Sequence, residues 1–76
     1  MTKYEGGEKL HTIENNFTYH APKDDQPQRY ELLRAKALEL AKLYLQNSPQ
    51  SREQSLALTA LEESIFWVNA AIARNE

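Results

Sequence analysis

The chain has no cysteine, only two histidines and two glycines, and no uninterrupted apolar run near the length of a membrane span. The first absence excludes disulfides and thiolate metal sites. His11 and His20 are too few for a zinc site, even with carboxylates nearby. Both glycines, Gly6 and Gly7, lie near the N-terminus, so there is no Gly-rich phosphate loop. A membrane helix needs about 20 apolar residues in succession, which leads us to expect no membrane partner. The opening MTKYEGGEKL lacks the apolar core of a signal peptide. A soluble intracellular protein is the expectation.

No excess of positive charge is present either. Nine Lys/Arg stand against eleven Asp/Glu, giving a net charge of −2. A binder of polymeric nucleic acid needs a basic stripe to displace counterions, so that class is excluded. A small anionic ligand is not, because a few placed cations hold one or two phosphates. At 76 residues the chain is one small domain. Such a chain buries only about 60% of its unfolded surface. With disulfides and metals excluded, oligomerisation is the remaining staple.

The pattern that is present is helical, and the expected fold class is all-α. Residues 1–15 read as an N-terminal tail with one short helical turn, and residues 16–76 as a hairpin domain. A first long helix is expected from near Asp25 to Asn47, started by an Asp25–Gln28 capping-box variant with Pro27 in the first turn. The segment NSPQS ends it, and Ser51 with Gln54 makes a Ser-x-x-Gln capping box for a second helix to about Arg74. A short loop between two long helices gives an antiparallel hairpin.

On the first helix Leu40, Leu33, Tyr44, Ala37, Tyr30, Ala41, Arg34, Leu45 and Leu38 share one arc of about 160°. Arg34 is the single charge in it. Burying an unpaired charge costs several kcal/mol, so Arg34 must reach water, pair with a carboxylate or hold an anionic ligand. Glu31 and Glu39 lie well around the wheel from it. On the second helix Ala57, Leu58, Leu61, Ile65, Val68 and Ile72 form one stripe. Phe66 and Ala73 lie on another side, and Leu56, Trp67 and Ala71 on a third. The run SIFWVNAAIA carries no charge, and a helix apolar all round is buried all round. Either other protomers cover it or the N-terminal segment (Leu10, Ile13, Phe17) folds back over it. Asn69 is the strong polar group inside this run, placed to fix register across a subunit interface.

No catalytic constellation appears: no G-x-S-x-G, no H-E-x-x-H and no Cys–His pair. Glu62 and Glu63 point to different sides and read as a solvated edge. Enzyme activity is not expected, nor is a cofactor. What remains is Tyr19-His20-x-Pro22-Lys23 leading into Arg34. Tyr19 offers a stacking surface of the kind that holds nucleobases. Lys23 precedes a helix N-terminus, which favours anions, and Arg34 offers a planar fork for phosphate. The plainer reading has Tyr19 closing the hairpin core while Arg34 pairs with Glu31 or Glu39.

The stretches FTYHAPK…QRYELLRAKALELA and SREQSLALTALEESIFWVNAAIARNE resemble the helical-hairpin domain of phage anti-CBASS cyclic-nucleotide sponges. The resemblance covers residues 16–76. It implies a non-enzymatic protein of the host cytoplasm that sequesters cyclic oligonucleotide messengers and so keeps an immune effector inactive. It implies a homohexamer of helical hairpins, with cyclic dinucleotides such as cGAMP held between protomers and a separate pocket for cyclic trinucleotides. Aligned on x-A-K-x-x-E-L, the family's dinucleotide-binding tyrosine and basic residue fall on Tyr19 and Arg34. Arginine stands where the family usually has lysine, which keeps the charge and changes the hydrogen-bond geometry. Arg52 and Arg74 are the cations available for a trinucleotide site. Two other functions compete: a helical adaptor that covers a host protein, and an anion-binding structural subunit of a virion.

Overall fold

The computed structural model describes residues 7–76 and is all-helical over them: α1 spans Gly7–Asn16, α2 Gln26–Asn47 and α3 Arg52–Asn75. Of the expected N-terminal tail and turn over residues 1–15, positions 1–6 lie outside the described residues. Helix α1 is longer than the single turn expected. Glu8, Lys9 and Leu10 are good helix formers, and Glu8 stands in the first turn, where a negative charge suits the helix dipole. Its end is set by the Asn15–Asn16 pair, after which the amides of Phe17 and Thr18 donate back to the carbonyls of Ile13 and Asn15 at 3.1 and 3.3 Å.

Helices α2 and α3 form the expected antiparallel hairpin, with the start of α2 bonded to the end of α3 through Gln26 and Glu76. At the loop, Ser51 is extended and its Oγ accepts from the Gln54 amide at 3.1 Å. That is half of the expected capping box. The Gln54 side chain turns to Ser48 instead, donating to its carbonyl at 3.1 Å and its Oγ at 3.0 Å. The Asp25 box does not form. Asp25 sits at φ −92°, ψ 8°, not the extended geometry a capping side chain needs, and makes no cap hydrogen bond. A tight turn starts α2 instead, with the Gln26 amide donating to the Lys23 carbonyl at 2.9 Å and Asp24 at φ 53°. Aspartate tolerates that left-handed region better than most residues.

The molecule is a thin slab. Its extents are 53 × 33 × 13 Å and its radius of gyration is 17.2 Å, against about 11 Å for a compact chain of this length. Among the described residues no hydrophobic side chain is fully buried; the one buried residue is Gln26, at 3% exposure. The reason is visible in the wheel of α2. Tyr30, Leu33, Ala37, Ala41 and Tyr44, the middle of the arc, are half-buried, while Arg34, Leu38, Leu45 and Leu40 at its flanks are exposed. An arc of that width is more than one partner helix covers. On α3 the stripe Leu58, Leu61, Ile65, Val68 and Ile72 is half-buried, whereas Ala57 is exposed. Phe66 and Trp67 stay 63% and 64% exposed. Fold-back of the N-terminal segment does not cover them, because Leu10, Ile13 and Phe17 are themselves exposed.

The average apolarity of α3 is higher than its unbroken apolar runs suggest. Counting unbroken apolar runs misses that α3, 24 residues long, is apolar enough on average to meet the length-and-composition criterion for a span. Glu62 and Glu63 stand at its middle, where charged groups cost about 2.5–3.5 kcal/mol each in a bilayer.

Candidate ligand-binding site

Three elements meet at the open end of the hairpin: the connector of residues 17–25, the first turns of α2 and the last turns of α3. Between them lies an open hollow of about 390 Å³ lined by Tyr19, His20, Tyr30, Arg34, Asn69 and Arg74, with Asn16, Thr18, Ala70 and Ala73. This volume is within the usual range for small-molecule sites. Two guanidinium groups and three aromatic rings face it, and no carboxylate lines it. In a chain with net charge −2, that is a local reversal of sign. Arg34 is exposed and forms no ion pair or hydrogen bond among the described residues, so neither Glu31 nor Glu39 neutralises it. The ion pair that Glu39 does make is with Lys36, at 3.6 Å.

Tyr19 is 83% exposed, so it does not close the hairpin core. His20 is half-buried and held in place: its Nε2 lies 2.9 Å from the Asn15 carbonyl. A carbonyl only accepts, so this nitrogen carries the proton. Lys23 is turned away from the hollow, with Nζ donating to the Glu76 carbonyl at 2.8 Å. Arg74 shares the hollow with Tyr19 and Arg34 instead of forming a separate site with Arg52. Arg52 opens α3 and Arg74 nearly closes it, some 33 Å apart at 1.5 Å per residue. Within one chain the two cannot grip one ligand.

Six lining residues lie outside the expected set, and two of them, Tyr30 and Asn69, bring a ring and an amide. By sequence Tyr30 belongs to the apolar arc and Asn69 to a subunit interface. Asn69 borders both this hollow and a second one of about 480 Å³ running along Leu38, Ile65 and Phe66, with Arg34 between them. Its Oδ1 is buried without a hydrogen-bond donor, a state that costs free energy until a donor is supplied.

Beneath the connector is a cluster of polar bonds. Gln26 accepts from the Lys23 amide at 3.1 Å and donates through Nε2 to Glu76 Oε1 at 3.2 Å. Arg29 grips the same carboxylate with both terminal nitrogens, the Nη1–Oε2 contact being 2.9 Å, and pairs with Asp25 at 3.2 Å. The Arg29 bonds, then those from Gln26, pull the Glu76 carboxyl down from 4.5 to about 2, against a smaller opposing effect of burial. The same bonds raise Arg29 further above its ordinary value. Asn15 completes the cluster, donating through Nδ2 to the Arg74 carbonyl at 3.1 Å. Among the described residues no cluster of three His, Cys, Asp or Glu is placed to hold a metal.

A single helical hairpin, too thin to bury a core, presenting cations and rings around an open hollow: this defines a small ligand-binding helical module. The chain belongs to the Acb2/Tad1 hairpin-domain family, the anti-CBASS sponge family, whose model matches residues 9–73. The match begins inside α1, ahead of residue 16, where the sequence resemblance starts. The family is one of binding domains. No curated protein and no solved structure matches the chain.

Proposed function

We propose that this protein sequesters cyclic oligonucleotide messengers in the host cytoplasm without cleaving them, and so blocks CBASS immunity. The observation that carries the reading is the hollow itself. Tyr19, Tyr30 and His20 offer ring faces, Arg34 and Arg74 offer unpaired guanidinium groups, and no carboxylate opposes an anion there. A cyclic dinucleotide is a compact dianion with two base faces. Tyr19 stacks on a base, worth about 1–3 kcal/mol, and Arg34 meets a phosphate through charge-assisted bonds. Two copies of the site facing each other across a two-fold axis hold both halves of the ligand.

The exposed apolar faces of α2 and α3 serve this by assembling several hairpins, with a homohexamer as the proposed state. Cyclic trinucleotides are the second proposed ligand class, with Arg52, which lies apart from the hollow, as the cation available to them.

The test is retention. Purified protein is mixed with cGAMP, passed over a desalting column and heated. The expected result is recovery of intact ligand, with light scattering giving a mass several times 8.8 kDa. Cleaved product would mean an enzyme. No retention would favour a helical adaptor that uses Phe66 and Trp67 against a host protein. An 8.8 kDa monomer at micromolar concentration would refute the shared site.

A further inference from the structure

We infer that the polar clasp at the open end of the hairpin, Gln26 and Glu76 with Arg29 and Lys23, positions Tyr19 for the ligand. The inference rests on the reading of the Tyr19 hollow given above. Tyr19 cannot be placed by its own packing, because its side chain is 83% exposed. It sits on a connector with no regular structure between α1 and α2. Its position is therefore inherited from its neighbours. Directly after it, His20 is bonded to the Asn15 carbonyl, and Asn15 to the Arg74 carbonyl. Four residues beyond it, Lys23 is held twice, by Gln26 through its amide and by Glu76 through Nζ. Gln26 joins these bonds: it starts α2, fastens the turn and reaches the carboxylate at the end of α3.

The identity of the buried residue sharpens the point. A chain that buries no leucine or phenylalanine among its described residues buries a glutamine. Burying an amide costs free energy unless it is hydrogen-bonded, and here both its oxygen and its nitrogen are. Such a residue contributes little to holding two helices together and much to fixing one arrangement of the backbone around it. A clasp of this kind restricts the connector before the ligand arrives, and preorganisation lowers the ordering cost of binding. When the binding-competent arrangement is only partly populated, apparent affinity falls by that fraction.

The experiment compares wild type with Gln26→Ala, Glu76→Ala, Glu76→Gln and Tyr19→Ala. It follows amide hydrogen exchange over residues 17–25 in the free protein and cGAMP association and dissociation rates. Gln26→Ala and Glu76→Ala should speed exchange in the connector at least tenfold while α2 and α3 away from the clasp keep their protection. They should slow association about three- to tenfold with little change in dissociation. Glu76→Gln keeps an acceptor oxygen and should recover part of both. A general loss of structure would instead lower protection along both helices, and Glu76→Gln would not rescue the on-rate. Unchanged connector exchange in both alanine variants overturns the clasp. If wild type and Tyr19→Ala bind alike, the site reading has failed, and the exchange result still decides whether the clasp orders the connector.

Discussion

The two ends of the hairpin are closed by bonds of opposite kinds. At the loop end Ser48, Ser51 and Gln54 bond to groups no more than six residues away in sequence. At the other end Asn15, Lys23, Gln26 and Arg29 reach partners 47 to 59 residues away. Local bonds form early and fix where helices begin and stop. Long-range bonds form only once α2 and α3 lie side by side, so they report that the hairpin has closed. The loop end therefore belongs to folding, and the open end is free to serve a ligand.

Substitutions can separate the two ends. The largest effect falls on the hollow: Tyr19→Ala and Arg34→Ala should each raise the cGAMP dissociation constant at least tenfold in calorimetry, with the assembly intact by light scattering. Wild-type affinity in both would remove the functional half of the comparison. At the loop end, Ser51→Ala removes the cap on the Gln54 amide and should cost about 1 kcal/mol of stability. Thermal unfolding reads that loss, and ligand affinity corrected for the folded fraction should not move.

The smallest effect is a pH difference between the ends. Folding lowers the Glu76 carboxyl from 4.5 to about 2, so its contribution is complete above pH 4.5 and fades as pH falls toward 2. Connector amides should lose protection over that window once intrinsic exchange is corrected for. The loop end, capped by serine and glutamine, should not follow. Equal loss at both ends would mean that acid acts on the whole fold.

The same division explains what could be read from the residues alone. The Ser51 cap, the two long helices and their antiparallel pairing follow from spacing and local chemistry, and the three helices observed agree with the all-α expectation. The early start of α1 is not legible, because Gly7 and the charged residues after it offer little to bury and so read as tail. Its charge in an apolar arc singles out Arg34. The arc misled on burial, since its flank, where Arg34 sits, extends past the partner helix. Gln26 and Glu76 carried no signal at all. Each is an ordinary polar residue until the far end of the chain is brought beside it, and nothing in local spacing announces a meeting 50 residues apart. Arg74 is visible as a cation, but its placement beside Arg34 depends on the antiparallel register.

The 13 Å thickness of the slab has a consequence for supply. A layer one helix deep has little intrinsic stability to draw on, and under the assembly proposed above each further copy stabilises the others by mass action. Dilution would then empty the pool twice over, by lowering the number of chains and by unfolding those that remain. The capacity to hold messenger would rise more steeply than the number of chains made, and a cell producing too few would have almost none.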